Sequence, residues 1–248
     1  MGMIRVTVAR ARGSTPREAG ATMLVGPDWT RGTIGGGPLE YMAIERARRM
    51  LAQAETAARM DLALGPELGQ CCGGRVELAL ERIAEAPPAP PRPAVMIFGA
   101  GHVGRALARA LALLPLAPVV IDQRPAELAL APGPTRLAAL PEAELRAAPP
   151  GTSHVIVTHD HALDFLLASE ALRRPDAPYV GMIGSAAKLA RFRRLAAAQG
   201  IDPARLTCPI GAGFGRDKRP EIIAAFTAAE IMARLCAHSS LTKYPCDS

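Results

Sequence analysis

The sequence predicts an α/β protein whose C-terminal part is a doubly wound parallel sheet, preceded by a smaller α+β domain. Three observations carry that prediction. From residue 94 onward, short apolar runs alternate with helical patterns. A glycine signature, Gly99-x-Gly101-x-x-Gly104, stands between the first such run and the first such helix. A proline-dense stretch, "APPAPPRPA" at residues 86–94, separates this region from a different pattern upstream. Such a run favours extended backbone and makes a semi-rigid spacer. The expected division is therefore a first domain at 1–85, a linker at 86–94, a second domain at 95–237 and a disordered tail at 238–248.

The first domain reads as mixed α and β. "MIRVTVARA" and "ATMLVG" are strand-like and are joined by the loop "RGSTPREAG". A short strand near Thr33 precedes "GGGPLEYMAIERARRMLAQAE", a helix with Pro38 suited to its first turn. Leu39, Met42, Ala43, Ala47, Met50 and Leu51 form its apolar stripe. "TAARMDLAL" and "RVELALERI" alternate with period two, as half-buried strands do, and "GPELGQCCGG" joins them.

The second domain opens with a buried strand that runs into the glycine loop and a helix. A second apolar strand, "APVVID", ends at Asp122, about twenty residues on, where a dinucleotide fingerprint places its acid. Strand, glycines, helix, strand and acid in that order read as a Rossmann-like unit. A short strand at 135–138 and the helix "PEAELRAA" follow. "SHVIVTHDH" leads into "ALDFLLASEALRR", and "YVGMIGS" into "AAKLARFRRLAAAQG". "RLTCPIG" reads as a sixth strand before a last helix near 220–237.

Composition narrows the function classes. An apolar fraction of 49% and a charged fraction of 21% are those of a soluble globular protein. Arg109, Pro115 and Pro118 break the longest apolar stretch, so no membrane span is expected. With no secretion signal in "MGMIRVTVAR", the expected compartment is the cytoplasm, where thiols stay reduced. The formal charge of +6 comes mostly from arginine, which suits phosphate and carboxylate. Aromatics at 4% and the lack of a long basic block argue against nucleic acid as a partner. The 5 cysteines are neither a disulfide framework nor a C-x-x-C zinc pair.

Candidate binding residues fall on loops. In the usual 3-2-1-4-5-6 strand order, the loop at 99–104, with His102 inside it, faces the loop carrying Thr158, His159 and Asp160. Gly184 and Ser185 feed a helix that carries Lys188 one turn in, where free amides and an ammonium suit an anion. "HDHALD" invites a metal reading, but neighbours on extended backbone point apart, and Asp160 or Thr158 also reads as a helix cap. In the first domain, Gly35, Gly36 and Gly37 form either an anion nest or a plain turn. Ser14 and Arg17 lie on a second loop, and Cys71 and Cys72 on a third. The adjacent thiols suit a soft metal or a sulfur relay, or they are packing.

Read in order, "ARGSTPREAGA", "GTIGGGPLE", "LGQCCGGRVEL", "FGAGHVGRALA", "VTHDHALD", "YVGMIGSAAKLARF" and "KRPEIIAAF" resemble the blocks of the XdhC/CoxI family, the xanthine dehydrogenase accessory proteins. The resemblance implies a chaperone rather than an oxidoreductase. Such proteins bind molybdenum cofactor (molybdopterin), protect it while a cysteine desulfurase supplies sulfur, and deliver it to apo-xanthine dehydrogenase. It also implies a homodimer. The "GQCC" form looks like the xanthine dehydrogenase branch; where the CoxI branch carries a cysteine, this chain has Pro38. The alternative expectation is an NAD(P)-dependent oxidoreductase, which accounts for residues 99–104 and Asp122 but leaves the first domain without a role.

Overall fold

The computed structural model describes residues 2–65, 73–88, 91–214 and 217–237. The chain divides near residue 90 into two units, Met1–Pro90 and Pro91–Lys243.

The first unit is built on strand alternation. Strand β1 (Met3–Arg12) buries Ile4, Val6 and Val8 and turns the residues between them outward. Strands β2 (Thr22–Val25) and β3 (Thr30–Gly32) follow. Helix α1 (Gly37–Ala52) precedes β4 (Ala57–Ala63) and β5 (Arg75–Ile83). The sheet order is β3-β2-β1-β5-β4, and every pair is antiparallel. Leu39, Ala43, Ala47 and Met50 of α1 are fully buried against one face of that sheet. Met42 and Leu51, expected in the stripe, lie at its half-buried margin. The register of β1 on β5 slips between Val8 and Arg10, a bulge just before the chain enters the loop at residue 13.

The second unit alternates strand and helix. Strand β6 (Ala94–Phe98), helix α2 (His102–Ala112) and strand β7 (Ala117–Asp122) open it. Helix α3 (Pro125–Leu128), strand β8 (Thr135–Leu137), helix α4 (Pro141–Arg146) and strand β9 (Ser153–Ile156) follow. Helix α5 (His161–Leu172), strand β10 (Val180–Met182), helix α6 (Ala186–Ala198), strand β11 (Leu206–Thr207) and helix α7 (Pro220–Ala237) complete it. The six-stranded sheet has the order β11-β10-β9-β6-β7-β8, parallel throughout. This is the doubly wound order. On one face Leu107 and Leu111 of α2 and Ile231 and Leu235 of α7 pack on Val95, Ile97 and Val155. On the other, Leu167 of α5 and Phe192 of α6 pack on Phe98, Ile156 and Met182. Both faces are covered, so the central strands read as near-continuous apolar runs.

One buried polar residue interrupts that second core. His154 in β9 is fully buried, and its ring lies 6.2 Å from that of Phe98. Neither ring nitrogen has a partner among the described residues. Burial pushes its pKa down to about 4, with repulsion from Arg174 adding to the effect. The unfolded chain takes up this proton near 6.5, whereas the folded chain resists until about 4. Stability should therefore fall as pH drops through that window, by about 1.4 kcal/mol per pH unit from this group. Urea unfolding of His154→Leu between those limits should show a flatter pH dependence than the parent; an equal slope in both would place the acid sensitivity elsewhere.

Candidate functional site

The crevice of the second unit forms where strand order reverses, between β6 and β9. The chain leaves β6 through Gly99, at φ 119°, whose amide donates to the Ile121 carbonyl at 2.8 Å. A methyl group on Gly99 would lie 2.4 Å from the Val157 oxygen, and one on Gly104 only 1.9 Å from the Gly99 oxygen. Two of the three glycines are thus required by backbone meeting backbone. Gly101 is different: a methyl group there would meet nothing within 4 Å. Gly101 and the exposed His102 stand at the head of α2, whose N-terminus receives no side-chain cap.

Asp122 is not an open acceptor. It is 5% exposed, and four donors converge on it. The Ala100 amide reaches Oδ2 at 2.7 Å and the Arg124 amide reaches Oδ1 at 2.9 Å. The Arg124 guanidinium adds bonds of 3.0 and 2.8 Å. Burial raises this carboxyl, but the hydrogen bonds from Arg124 and Ala100 outweigh it and bring the pKa down to about 2. A carboxylate has about four acceptor positions, and here they are filled. Asp122 braces the glycine loop from below.

The facing loop is held by a buried charge pair. The amide and hydroxyl of Thr158 both bond Asp164 Oδ1, at 3.2 and 2.7 Å. Asp164, fully buried on α5, pairs through Oδ2 with Lys188 Nζ of α6. Lys188 also donates to the Ile183 carbonyl at 2.9 Å and is itself buried. The reading of Lys188 as a phosphate cation gives way here: its ammonium is turned inward and joins the loops that follow β9 and β10. Ser185 caps α6 by accepting from the Lys188 amide at 3.2 Å, and Asp160 caps α5 through the amides of Ala162 and Leu163. Bonds from those two amides hold the Asp160 carboxyl below its usual range. His159 is exposed and lines the crevice with Gly99, Asp122, Gln123 and Thr158. The crevice has a free volume of about 10 Å³, room for one water. Gly184 packs against the Lys188 stem and the Cys208 sulfur, which a methyl group would meet at 2.9 and 3.2 Å. Burial pushes the Cys208 thiol up to about 11 against the pull of Lys188, so it stays protonated.

In the first unit, two of the loops singled out by sequence come into contact, Gly35 of one lying against the Pro16 ring of the other. A methyl group on Gly35 would lie 2.6 Å from Pro16 Cβ. Half-buried Arg17 lies against the same turn and forms no ion pair among the described residues. Exposed Ser14 bridges to Gly73, and Gly74 lies so close that a methyl group would meet the Ser14 oxygen at 2.2 Å. The successive amides at this turn are those of Ile34, Gly35 and Gly36, and an internal carboxylate occupies them: they donate to Glu40 Oε1 at 2.9, 3.1 and 2.8 Å. Cys71 and Cys72 lie outside the described residues.

Sequence reasoning missed Glu40 and Cys208 as parts of these sites, and it weighed Asp164 only within the metal reading of "HDHALD", not as the partner of Lys188. Glu40 had a signal, an acid in the first turn of a helix that follows three glycines. Asp164 and Lys188 are 24 residues apart on separate helices, and nothing local pairs them. Among the described residues no three His, Cys, Asp or Glu side chains are placed to hold a metal ion, and no helix is long and apolar enough to cross a membrane.

With this geometry in hand, the comparisons with known proteins agree in one direction. Residues 95–231 match the XdhC Rossmann domain, and residues 2–62 match the XdhC and CoxI family. An uncharacterised protein of Escherichia coli K12, YqeB, is 31% identical over 241 residues. The match takes in 91% of this chain but 42% of YqeB, so the chain spans less than half the length of that relative. The fold is shared with a crystal structure described as a xanthine dehydrogenase from Bacillus halodurans, with a TM-score of 0.83 at 18% identity over 98% of this chain and 94% of that one.

The buried pair generates a prediction. Lys188→Met leaves an uncompensated carboxylate and should cost about 3–5 kcal/mol in urea unfolding. Adding Asp164→Asn keeps an acceptor for Thr158 and removes the orphan charge, so the double variant should recover much of the loss. A double variant no more stable than Lys188→Met would show that the pair does not join these loops.

Proposed function

The chain belongs to the XdhC and CoxI family, and from that premise we propose that it is an accessory protein of xanthine dehydrogenase that binds molybdenum cofactor and delivers it to the apoenzyme. One observation carries the ligand side of this reading. Helices α5 and α6 spend their first amides on Asp160 and Ser185, and α3 and α4, which have no side-chain cap, begin with a proline that carries no amide hydrogen; α2 has no side-chain cap, no proline in its first turn and open space at Gly101. Uncapped amides at a helix start favour an anion, and the cofactor carries a phosphate. Gly101 and His102 would hold that phosphate, with His159 at the rim of the same crevice. Asp122 weighs against the oxidoreductase alternative, because its acceptor positions are filled and a nicotinamide dinucleotide would ask it to bind ribose.

The cofactor supplies a molybdenum–dithiolene redox centre, the chemistry of the client enzyme and not of this chain. The residues here bind, orient and shield. Cys71 and Cys72 are proposed as soft donors to the metal, or as acceptors of sulfur from a cysteine desulfurase. A homodimer in the cytoplasm is the working assembly in this reading.

The test is to purify the protein from a molybdenum-replete bacterium and measure bound molybdenum, released pterin and NAD. Molybdenum and pterin in similar amounts, without NAD, is the expected result; NAD without pterin would overturn it. Gly101→Val should stay folded, because the added atoms have space, yet lose pterin retention roughly tenfold through loss of about 1.4 kcal/mol of phosphate contact.

The cysteines are tested separately. Cys71→Ser with Cys72→Ser should lower both cofactor retention and the activation of apo-xanthine dehydrogenase. If both survive the double change, the thiols are packing.

A further inference from the structure

We infer that Glu40 is the positioning residue of the first unit's loop face, an internal anion that holds the glycine turn at 33–37 and, through it, the loop at 13–17. The inference rests on the reading that these loops help to hold the cofactor. Four donors point at a single oxygen. The Ile34, Gly35 and Gly36 amides and the Thr33 hydroxyl all bond Glu40 Oε1, while Oε2 takes no hydrogen bond from the described residues. Three amides in a row turned the same way repel one another unless a negative charge sits among them. The turn also needs φ of 130°, 75° and 63° at Gly35, Gly36 and Gly37, backbone that relaxes readily once nothing pins it.

The pin reaches further than its own loop. Gly35 packs directly on Pro16 and against Arg17. Two residues before Pro16, Ser14 bridges Gly73 and closes on Gly74. Glu40 therefore sits behind a set of contacts that runs from Gly35 to the Pro16 ring and, through Ser14, to Gly73, and no hydrogen bond among the described residues joins it to the far members. It acts through the loops and is not itself a ligand contact. The glycine nest that sequence alone offers to an external phosphate is already filled, so any anion bound by this unit must use other groups. Arg17 lies beside the turn and forms no ion pair among the described residues.

The position of the carboxylate also predicts a pH response. Burial pushes Glu40 up, but the bonds from Thr33, Gly36, Ile34 and Gly35 outweigh it, and the net displacement is downward from 4.5. No charged neighbour contributes to that displacement, although Arg17 faces the same turn. The pinning is present above the ordinary carboxylate value and is lost as pH falls through the lower folded one.

The experiment uses the full chain with three readouts: amide hydrogen exchange at Ile34, Gly35 and Gly36; exchange in the 13–17 loop; and molybdenum and pterin retained on purification. Glu40→Ala should lose protection at both loops roughly tenfold or more while β1 and β5 keep theirs, and cofactor retention should fall with it. Glu40→Gln retains an acceptor oxygen and should restore most of both. Added formate should partly restore loop protection in Glu40→Ala by entering the vacated nest. Protection of the three amides in the parent should fade in acid, and Glu40→Gln should abolish that fading. Unchanged protection at 13–17 in Glu40→Ala, or a Gln variant as loose as the Ala variant, overturns the inference. If Glu40→Ala does not fold, the Gln variant and the parent's pH response decide it alone. A parent chain that carries no cofactor refutes the function proposed above, whereas the exchange results still judge Glu40.

Discussion

Everything in the second unit's crevice depends on backbone meeting backbone at the switch point. Gly99 lies against Val157, and Gly104 against Gly99, at distances that exclude even a methyl group. That approach brings β6 and β9 into line, with Phe98 beside Ile156. It sets the glycine loop and the Thr158 loop at the same edge of the sheet. Two buried carboxylates then fix those two loops. Asp122 holds the first through the Ala100 amide, and Asp164 holds the second through Thr158. Lys188 then ties the second loop to the carbonyl of Ile183 beyond β10.

The charges at these sites are spent internally to an unusual degree. Asp122, Asp160, Asp164 and Glu40 each accept from backbone amides, and Lys188 is paired out of reach of solvent. A buried pair of this kind contributes little net stability over a well-packed apolar pair, because desolvation offsets the attraction. What it supplies is placement, since losing either partner strands the other. The same holds for Glu40, whose carboxylate makes a run of parallel amides tolerable. The groups available to the proposed ligand are those that remain unspent. In the second unit these are the N-terminus of α2 with exposed His102 and His159; in the first they include half-buried Arg17.

Much of the fold was legible because it is periodic. Alternating runs such as "MIRVTVARA" and the stripe of α1 show the face they bury. The succession of strand, glycines, helix and strand from Ala94 to Asp122 fixes a parallel sheet through the handedness of its crossovers. The short elements were less clear: β3 falls at Thr30–Gly32, just before the expected Thr33, and β11 has only two residues. The site was less legible, for a physical reason. Sequence shows which side chains can bind an anion but not whether the fold has already used them. Lys188 and the glycine nest both read as open, and both are occupied by acids, one 24 residues away and one on the helix that the nest itself begins. His154 gave no signal, because a histidine in a β-branched run has the same pattern whether its ring is buried or solvated.

Asp122 shows how this changes the meaning of a motif. An acid at the end of the second strand is a ribose acceptor only while it has lone pairs to offer. Here the residue two places on, Arg124, takes three of the four positions with its amide and guanidinium, and the Ala100 amide takes the last. The spacing of a dinucleotide fingerprint survives, but its acid has become part of the loop's foundation. What the crevice still presents is an uncapped helix start over a narrow cleft, the group to which the proposed reading assigns a phosphate. In the proposed reading a ligand with one phosphate tail needs only that helix start, whereas a dinucleotide that binds ribose through the acid would have to compete with Arg124 for the carboxylate.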